Sequence, residues 1–131
     1  MISLDTNVLV RILVGDDAAQ AKKAMALVKK LDAEGQTAHV ADIVVCELVW
    51  VLRACYDFSR PQIADALKQL TAARQLAFQH PDHVLRAIHA YEIGRGDFAD
   101  YMIRESARQA GANLVATFDK KLHKEDMFTA P

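Results

Sequence analysis

The sequence has only two cysteines, Cys46 and Cys55, and they do not form a Cys-x-x-Cys pair. Each lies in or beside an apolar stretch, which predicts two reduced thiols packed in the core of a protein from a reducing compartment. The histidines also lack the spacing of metal ligands, so a zinc site is not expected. They are His39, His80, His83, His89 and His123.

Long hydrophobic runs are absent as well. The longest nearly apolar run, Ile43 to Leu52, is too short to cross a bilayer and contains Glu47. Asp5 and Asn7 interrupt the apolar start of the chain, so no secretory signal is predicted. We therefore expect a soluble, cytoplasmic protein that does not associate with membranes.

No linker rich in Ser, Gly or Pro divides the chain, and there is no low-complexity segment or solenoid repeat. Apolar residues make up 52% of the 131 residues, which argues against disorder. A chain of this length can bury a hydrophobic core as one unit. The prediction is a single domain over residues 1–131.

Neither sign of charge is in excess, since the formal net charge is −1. This value argues against a nucleic-acid binder that works by bulk attraction. It does not decide the partner, because an acidic site filled with divalent cations can still receive an anionic substrate. Local clusters of charge are therefore more informative than the total.

Short apolar segments alternate with segments of helical periodicity. Strands are predicted at 1–4, 37–40, 76–78 and 113–117, and helices at 6–13, 16–35, 42–56, 59–74, 82 to 94 or 96, and 98–110. This alternation predicts an α/β fold in which helices cover both faces of a short, mainly parallel sheet. Ligands of such folds bind beyond the carboxyl ends of the strands, so Asp5 and Asp119, each just past a strand, are expected in one site.

Glu47 is the only charged residue in the run Ile43 to Leu52. A helix that is apolar nearly all round is buried, and a buried carboxylate needs an ion pair, hydrogen bonds or a metal. The functional interpretation is a metal ligand. The structural alternative is an ion pair with Arg53 or Arg11.

Asp97 and Asp100 are spaced i, i+3 at the start of a predicted helix, where both could act as capping residues. Asp5 and Asp119 could likewise be a helix cap and a turn residue. Taken together, these acids lie at strand ends and helix starts, and carboxylates suit Mg²⁺ or Mn²⁺. Without a cation, so many like charges would raise one another's pKa values.

The stretch Ile2-Ser-Leu-Asp-Thr-Asn-Val-Leu-Val10 resembles the opening of a PIN domain, and more closely that of the VapC-type toxin ribonucleases. The order of the later acids fits as well: Glu47, then Asp97-Phe-Ala-Asp-Tyr-Met-Ile103, then Ala116-Thr-Phe-Asp119. The resemblance covers essentially the whole chain. It implies a three-layer α/β/α PIN-like fold.

The resemblance also implies a metal site made by Asp5, Glu47, Asp100 and Asp119, with Asp97 as the alternative third acid. Asn7 and Thr117 resemble the polar residues that support this site. Arg104 stands where the family often has a small residue, so the substrate groove is expected to differ there.

The implied activity is Mg²⁺- or Mn²⁺-dependent hydrolysis of RNA by a two-metal mechanism, leaving a 5′-phosphate and a 3′-hydroxyl. Several basic residues are candidates for contact with the RNA backbone: Arg104, Arg108, Lys120, Lys121 and Lys124. The implied partners are a small antitoxin and a second copy of the chain. The homodimer is also suggested by apolar residues on two helices, namely Val44, Val45, Val49, Trp50, Leu52, Leu67 and Leu70.

Two other functions remain open. A phosphatase or phospho-acceptor domain also places an Asp at a strand end, but Asp5-Thr6-Asn7 matches neither pattern. A non-catalytic PIN-like module that only binds a partner is the second alternative. Metal binding without RNA cleavage would distinguish it from an enzyme.

Overall fold

The computed structural model describes residues 1–131 as short strands between α-helices. The strands are β1 (Ile2–Ser3), β2 (Ala38–Val40), β3 (Leu76–Phe78), β4 (Val115–Ala116) and β5 (Phe128–Thr129). The helices are α1 (Thr6–Leu13), α2 (Ala18–Ala33), α3 (Asp42–Ala54), α4 (Arg60–Ala72), α5 (Pro81–Ile93) and α6 (Phe98–Gln109). A short 3₁₀ helix spans Lys120–Leu122.

The chain divides into two compact units, Met1–Pro81 and Asp82–Pro131. The first unit contains a three-stranded sheet in the order β1-β2-β3, and both strand pairs are parallel. Ile2 is opposite Ala38, and Ala38 is opposite Leu76. The predicted parallel sheet is therefore confirmed in this unit.

Local signals position the helices of the first unit. Asp5 caps α1 by accepting a hydrogen bond from the backbone N–H of Thr6 at 2.7 Å. Ser59 and Gln62 form a reciprocal capping box at the start of α4, and Pro61 follows within the first turn. These caps satisfy backbone donors that have no partner inside the helix.

The second unit combines α5 and α6 with the parallel pair β4-β5. Its core contains the fully buried rings of Tyr91, Phe98 and Tyr101, together with Leu122. The rings of Tyr91 and Phe98 meet edge to face, with their centroids 6.2 Å apart. This packing holds the start of α6 and the 3₁₀ helix in place.

Several strand predictions need correction. The segment 113–117 was expected to be a buried strand, yet only Val115–Ala116 form β4, and these two residues are not buried. Ile2–Ser3 are also exposed, although Leu4 is buried. Strand β5 was not predicted. Because β1 and β4 belong to different sheets, the argument that placed Asp5 and Asp119 at one shared sheet edge loses its premise.

The two cysteines differ in their surroundings. Cys46 is partly buried, and burial, together with the charge of Asp42, raises the pKa of its thiol to about 11. Cys55 is exposed, so the prediction that both thiols are packed in the core is wrong for Cys55. None of the helices is long and apolar enough to cross a membrane.

Candidate active site

Two acids of the second unit form the start of α6. Asp97 is the N-cap residue, and its backbone N–H donates a hydrogen bond to Oδ2 of Asp100 at 2.8 Å. This is the capping arrangement that the i, i+3 spacing allows. Asp97 is exposed and Asp100 is half-buried, so Asp100 is the more enclosed carboxylate of the two.

Asp119 is held in a loop that follows β4. Its backbone N–H donates to Oγ1 of Thr117 at 3.1 Å, and its Oδ1 accepts from the backbone N–H of Lys121 at 3.1 Å. The Nζ atom of Lys121 lies 3.7 Å from Oδ2 of Asp119. Thr117 therefore supports Asp119 by fixing the backbone of its loop.

The three acids of the second unit interact electrostatically. Burial raises the pKa of Asp100 above its usual range, and the negative charges of Asp97 and Asp119 raise it further. The hydrogen bond from the backbone of Asp97 and the positive charge of Lys121 act in the opposite direction. Asp100, Asp97 and Asp119 are therefore close enough for their charges to repel, and a bound cation would relieve that repulsion.

These three carboxylates have the donor chemistry that a hard divalent cation requires. They offer only oxygen atoms, which Mg²⁺ and Mn²⁺ prefer. The sequence predicted a metal site from these residues, and the structure brings three of the five predicted acids together within the second unit. We call Asp97, Asp100 and Asp119 the acid cluster.

A cleft of about 580 Å³ opens in the same unit. Lys121, which pairs with Asp119, also lines this cleft. The other charged residues of the lining are Arg95, Arg104, Lys124, Glu125 and Asp126. Four cations against two carboxylates make this surface positive, and we call it the basic cleft.

Arg104 is anchored in the basic cleft by aromatic rings. Its guanidinium carbon lies 5.1 Å from the ring centroid of Tyr101 and 5.4 Å from that of Phe128. Its NH1 group donates to the backbone oxygen of Asp126 at 3.1 Å, whereas the buried Nε atom has no hydrogen-bond partner. The flat guanidinium packs against rings in a way that a lysine could not reproduce.

Hydrogen bonds around Tyr101 build one wall of the basic cleft. The buried hydroxyl of Tyr101 donates to Oε1 of Glu125 at 2.8 Å and accepts from the backbone N–H of Gly96 at 2.8 Å. The backbone N–H of Arg95 donates to the other oxygen of Glu125 at 3.2 Å. Sequence reasoning missed Arg95, Glu125 and Asp126, because no local pattern distinguishes them from surface charges.

In the first unit, Asp5 is exposed and caps α1, which is the structural role that the sequence offered as the alternative to metal binding. Asn7 is also exposed and lies in a groove of about 280 Å³ between α1 and α2, which Arg11 and Gln20 also line. Arg11 pairs with Asp16 at 2.8 Å and donates hydrogen bonds to Oε1 of Gln20 and to the hydroxyl of Tyr56.

The prediction that Glu47 is buried is wrong. Helix α3 buries the face that carries Val45, Leu48, Val49 and Leu52, whereas Glu47 lies on the exposed face. Ile43 is 75% exposed and Trp50 is 65% exposed, so apolar residues accompany Glu47 on that face. The sequence of this helix is apolar on nearly all sides, so it did not indicate that other elements cover only one side.

Most of the apolar residues from which a homodimer was predicted are part of the core. The buried ones are Val45, Val49, Leu52, Leu67 and Leu70. Val44 is partly covered, and Trp50 alone among the predicted residues is exposed. Core packing therefore explains most of that set.

Two comparisons with known proteins cover most of the chain. The PIN domain model matches residues 2–126, a range that extends over most of both compact units. A VapC ribonuclease from Aquifex aeolicus (strain VF5) is 24% identical over 121 residues, which cover 92% of this chain and 89% of that relative. The α-helices and short parallel strands fit the three-layer α/β/α fold expected for a PIN domain. The chain therefore belongs to the PIN domain family.

Proposed function

We propose that this protein is a metal-dependent endoribonuclease and the toxin of a toxin–antitoxin pair. The acid cluster carries the proposal, because Asp97 and Asp119 repel the half-buried Asp100 in a chain of the PIN family. The similarity to a VapC ribonuclease supports RNA as the substrate. Catalytic carboxylates gathered in this way are typical of metal-assisted phosphodiester hydrolysis.

Asp100 and Asp119 are the proposed metal ligands of the second unit, and Asp97 positions Asp100 through the hydrogen bond at 2.8 Å. The roles proposed for Asp5 and Glu47 as further acids of the metal site, and for Asn7 as a supporting residue, depend on the sequence motifs alone. A bound Mg²⁺ or Mn²⁺ ion supplies an activated water and neutralises negative charge at the phosphate.

The chain's own residues supply the remaining functions. Thr117 fixes the backbone of Asp119, so that its carboxylate keeps one orientation. Lys121, 3.7 Å from that carboxylate, is placed to attract a phosphate towards the acid cluster. The basic cleft continues from Lys121 and provides Arg104 and Lys124 for contacts with the RNA backbone.

RNA digestion tests the proposed activity. Wild-type protein should cleave single-stranded RNA with Mg²⁺ or Mn²⁺, lose activity in EDTA and recover when the metal is added back. Asp5→Asn should be inactive under all three conditions. Full activity in EDTA would refute metal dependence, and metal binding without cleavage would favour the non-catalytic module.

Expression in a bacterial host tests the proposed partners. The chain alone should arrest growth, and both Asp5→Asn and co-expression of the small protein encoded beside it should relieve the arrest. A basic side chain of the antitoxin that pairs with the carboxylates would displace the metal. A harmless chain that captures no small partner would contradict the toxin assignment without affecting the nuclease assignment.

We also propose a homodimer, although fewer exposed apolar residues support it than the sequence predicted. Ile43 and Trp50 remain exposed on α3 and lie two helical turns apart on one face. Light scattering should show a dimer for the wild-type chain and a shift towards monomer for Trp50→Ala. A wild-type monomer would remove this part of the proposal.

A further inference from the structure

Phe118 is an aromatic residue with no packing role in the fold. Its side chain is 87% exposed, although it lies between Thr117 and Asp119, two residues whose backbone and side-chain atoms are hydrogen-bonded. An exposed aromatic ring contributes little to folding stability, because most of its surface stays in water. Its position next to an acid of the cluster therefore calls for another explanation.

The loop that presents Phe118 is fixed on both sides. Nε2 of His123 lies 2.6 Å from the backbone oxygen of Thr117, and the backbone N–H of Leu122 donates to the oxygen of Asp119 at 3.1 Å. Leu122 is fully buried and anchors the 3₁₀ helix. The ring is thus held outward by a structured loop, so little conformational freedom is lost when a ligand packs on it.

Positive charge follows Phe118 closely in sequence. Lys120, Lys121 and Lys124 follow within the same short segment, and the last two of these line the basic cleft. Sites for single-stranded nucleic acid combine a positive groove along the backbone with aromatic side chains on which bases stack. Phe118, which directly precedes Asp119 of the acid cluster, is an exposed aromatic residue of the kind that such sites use.

We propose that Phe118 is a stacking platform for an unpaired base of the RNA, next to the phosphodiester bond that is cleaved. This inference depends on the proposed nuclease function and adds a residue that contacts the substrate: the exposed ring of Phe118, on which one unpaired base packs. A base inside an A-form duplex is stacked between its neighbours and is not available to a side chain. The platform therefore selects unpaired RNA without reading a particular sequence.

Binding measurements in a cleavage-deficient background test the platform directly. The background is Asp100→Asn, and the probes are a single-stranded RNA containing 2-aminopurine and a paired RNA duplex. Phe118→Ala should weaken binding of the single strand by about 5- to 150-fold, the range that corresponds to loss of one stacked base. Phe118→Tyr keeps the ring and should bind as the parent does.

Leu114→Ala is the matched control, because Leu114 is also an exposed apolar residue of the second unit, at 61%. It should not change RNA binding. The fluorescence of 2-aminopurine should be quenched on binding to the parent and to Phe118→Tyr, but not on binding to Phe118→Ala. Binding of the duplex should be weaker and should not depend on residue 118.

In the active protein, Phe118→Ala should raise KM much more than it lowers kcat. Unchanged binding and KM in Phe118→Ala would overturn the platform while leaving the nuclease assignment intact. An equal loss of RNA binding in Leu114→Ala would also overturn it. So would a Phe118→Ala variant that loses self-association or antitoxin binding but binds RNA as the parent does. If the single strand binds through Phe118 but no metal supports its cleavage, the nuclease assignment fails and the stacking contact stands.

Discussion

The carboxylates of the two compact units have different neighbours. In residues 1–81, three acids lie beside basic side chains: Asp16 lies 2.8 Å from Arg11, Asp32 lies 3.0 Å from Arg74, and Asp42 lies 2.6 Å from His80. Asp42, His80 and His83 also offer ligand atoms within 4.8 Å of one another, a group that could hold a metal ion and that the spacing of the histidines did not predict. In residues 82–131, Asp100 instead experiences the negative charges of Asp97 and Asp119, with Lys121 as the opposing cation.

The difference is not a general property of the second unit. Its buried Glu105 lies 3.5 Å from Arg86 and 3.8 Å from Arg108, so this unit can also pair an acid with cations. The contrast separates carboxylates that lie beside a basic side chain from an acid whose repulsion by its neighbours a proton or a metal ion would relieve. The acid cluster is therefore the region in which chemistry is expected.

The largest expected effect comes from breaking the acid cluster. Asp100→Asn should reduce RNA cleavage by at least about 100-fold, because it removes a proposed metal ligand. The matched change in the other unit, Asp16→Asn, disrupts an exposed ion pair, which is screened by solvent, and should change stability little while cleavage continues. Initial rates with Mg²⁺ measure both effects, and equal rates for the two variants would contradict the contrast.

A second comparison uses one glycine from each unit. A Cβ atom at Gly94 would collide with the hydroxyl of Tyr101 and approach Oε1 of Glu125 at 2.5 Å, whereas nothing lies within 4 Å of a Cβ at Gly15. Gly94→Ala should destabilise the protein by about 1–3 kcal/mol, since the hydrogen-bonded wall of the basic cleft must shift. Gly15→Ala should be neutral or stabilise by up to about 1 kcal/mol.

Denaturant melts measure both glycine variants. If Gly94→Ala proved as stable as Gly15→Ala, the wall around Tyr101 would be more adaptable than its hydrogen bonds indicate. RNA binding by Gly94→Ala, measured at a temperature at which the variant stays folded, would then show whether the altered wall changes the affinity of the basic cleft for RNA.

The smallest expected effect is the dependence of stability on pH in metal-free protein. The pKa of Asp100 is raised, so the folded state holds this proton more tightly than the unfolded chain does. Its contribution is fully present below the ordinary value of 3.8 and is lost as the pH rises through the folded pKa. Asp100→Asn should therefore gain stability relative to the wild type as the pH rises through that window.

Asp16 should behave in the opposite way. The hydrogen bond from Tyr56 and the charge of Arg11 lower its pKa, so its contribution is present above 3.8 and is lost as the pH falls through the folded pKa. Asp16→Asn should therefore lose stability relative to the wild type as the pH rises. Thermal melts in EDTA between pH 3 and 7 give the stability of each variant relative to the wild type. If this difference changed with pH in the same direction for both variants, the opposite pKa shifts of Asp100 and Asp16 would be contradicted. Added Mg²⁺ should stabilise the wild type more than Asp100→Asn.

The sequence by itself determined features that depend on neighbouring residues. The caps at Asp5 and Ser59 and the pairing of Asp97 with Asp100 are local, because each joins a side chain to backbone groups within one helical turn. The alternation of strands with helices was visible for the same reason. The motifs around Asp5 and Asp119 also carried the resemblance to the PIN family.

Only the tertiary structure decided which faces are covered and which charges meet. Glu47 was expected to be buried because its neighbours in sequence are apolar, but a helix buries only the side against which other elements pack. Strand β5 has two residues and therefore no periodicity, so only its pairing with β4 defines it. The basic cleft joins Arg95, Arg104 and Lys124, whose proximity arises from hydrogen bonds and ring contacts between segments that are distant in sequence.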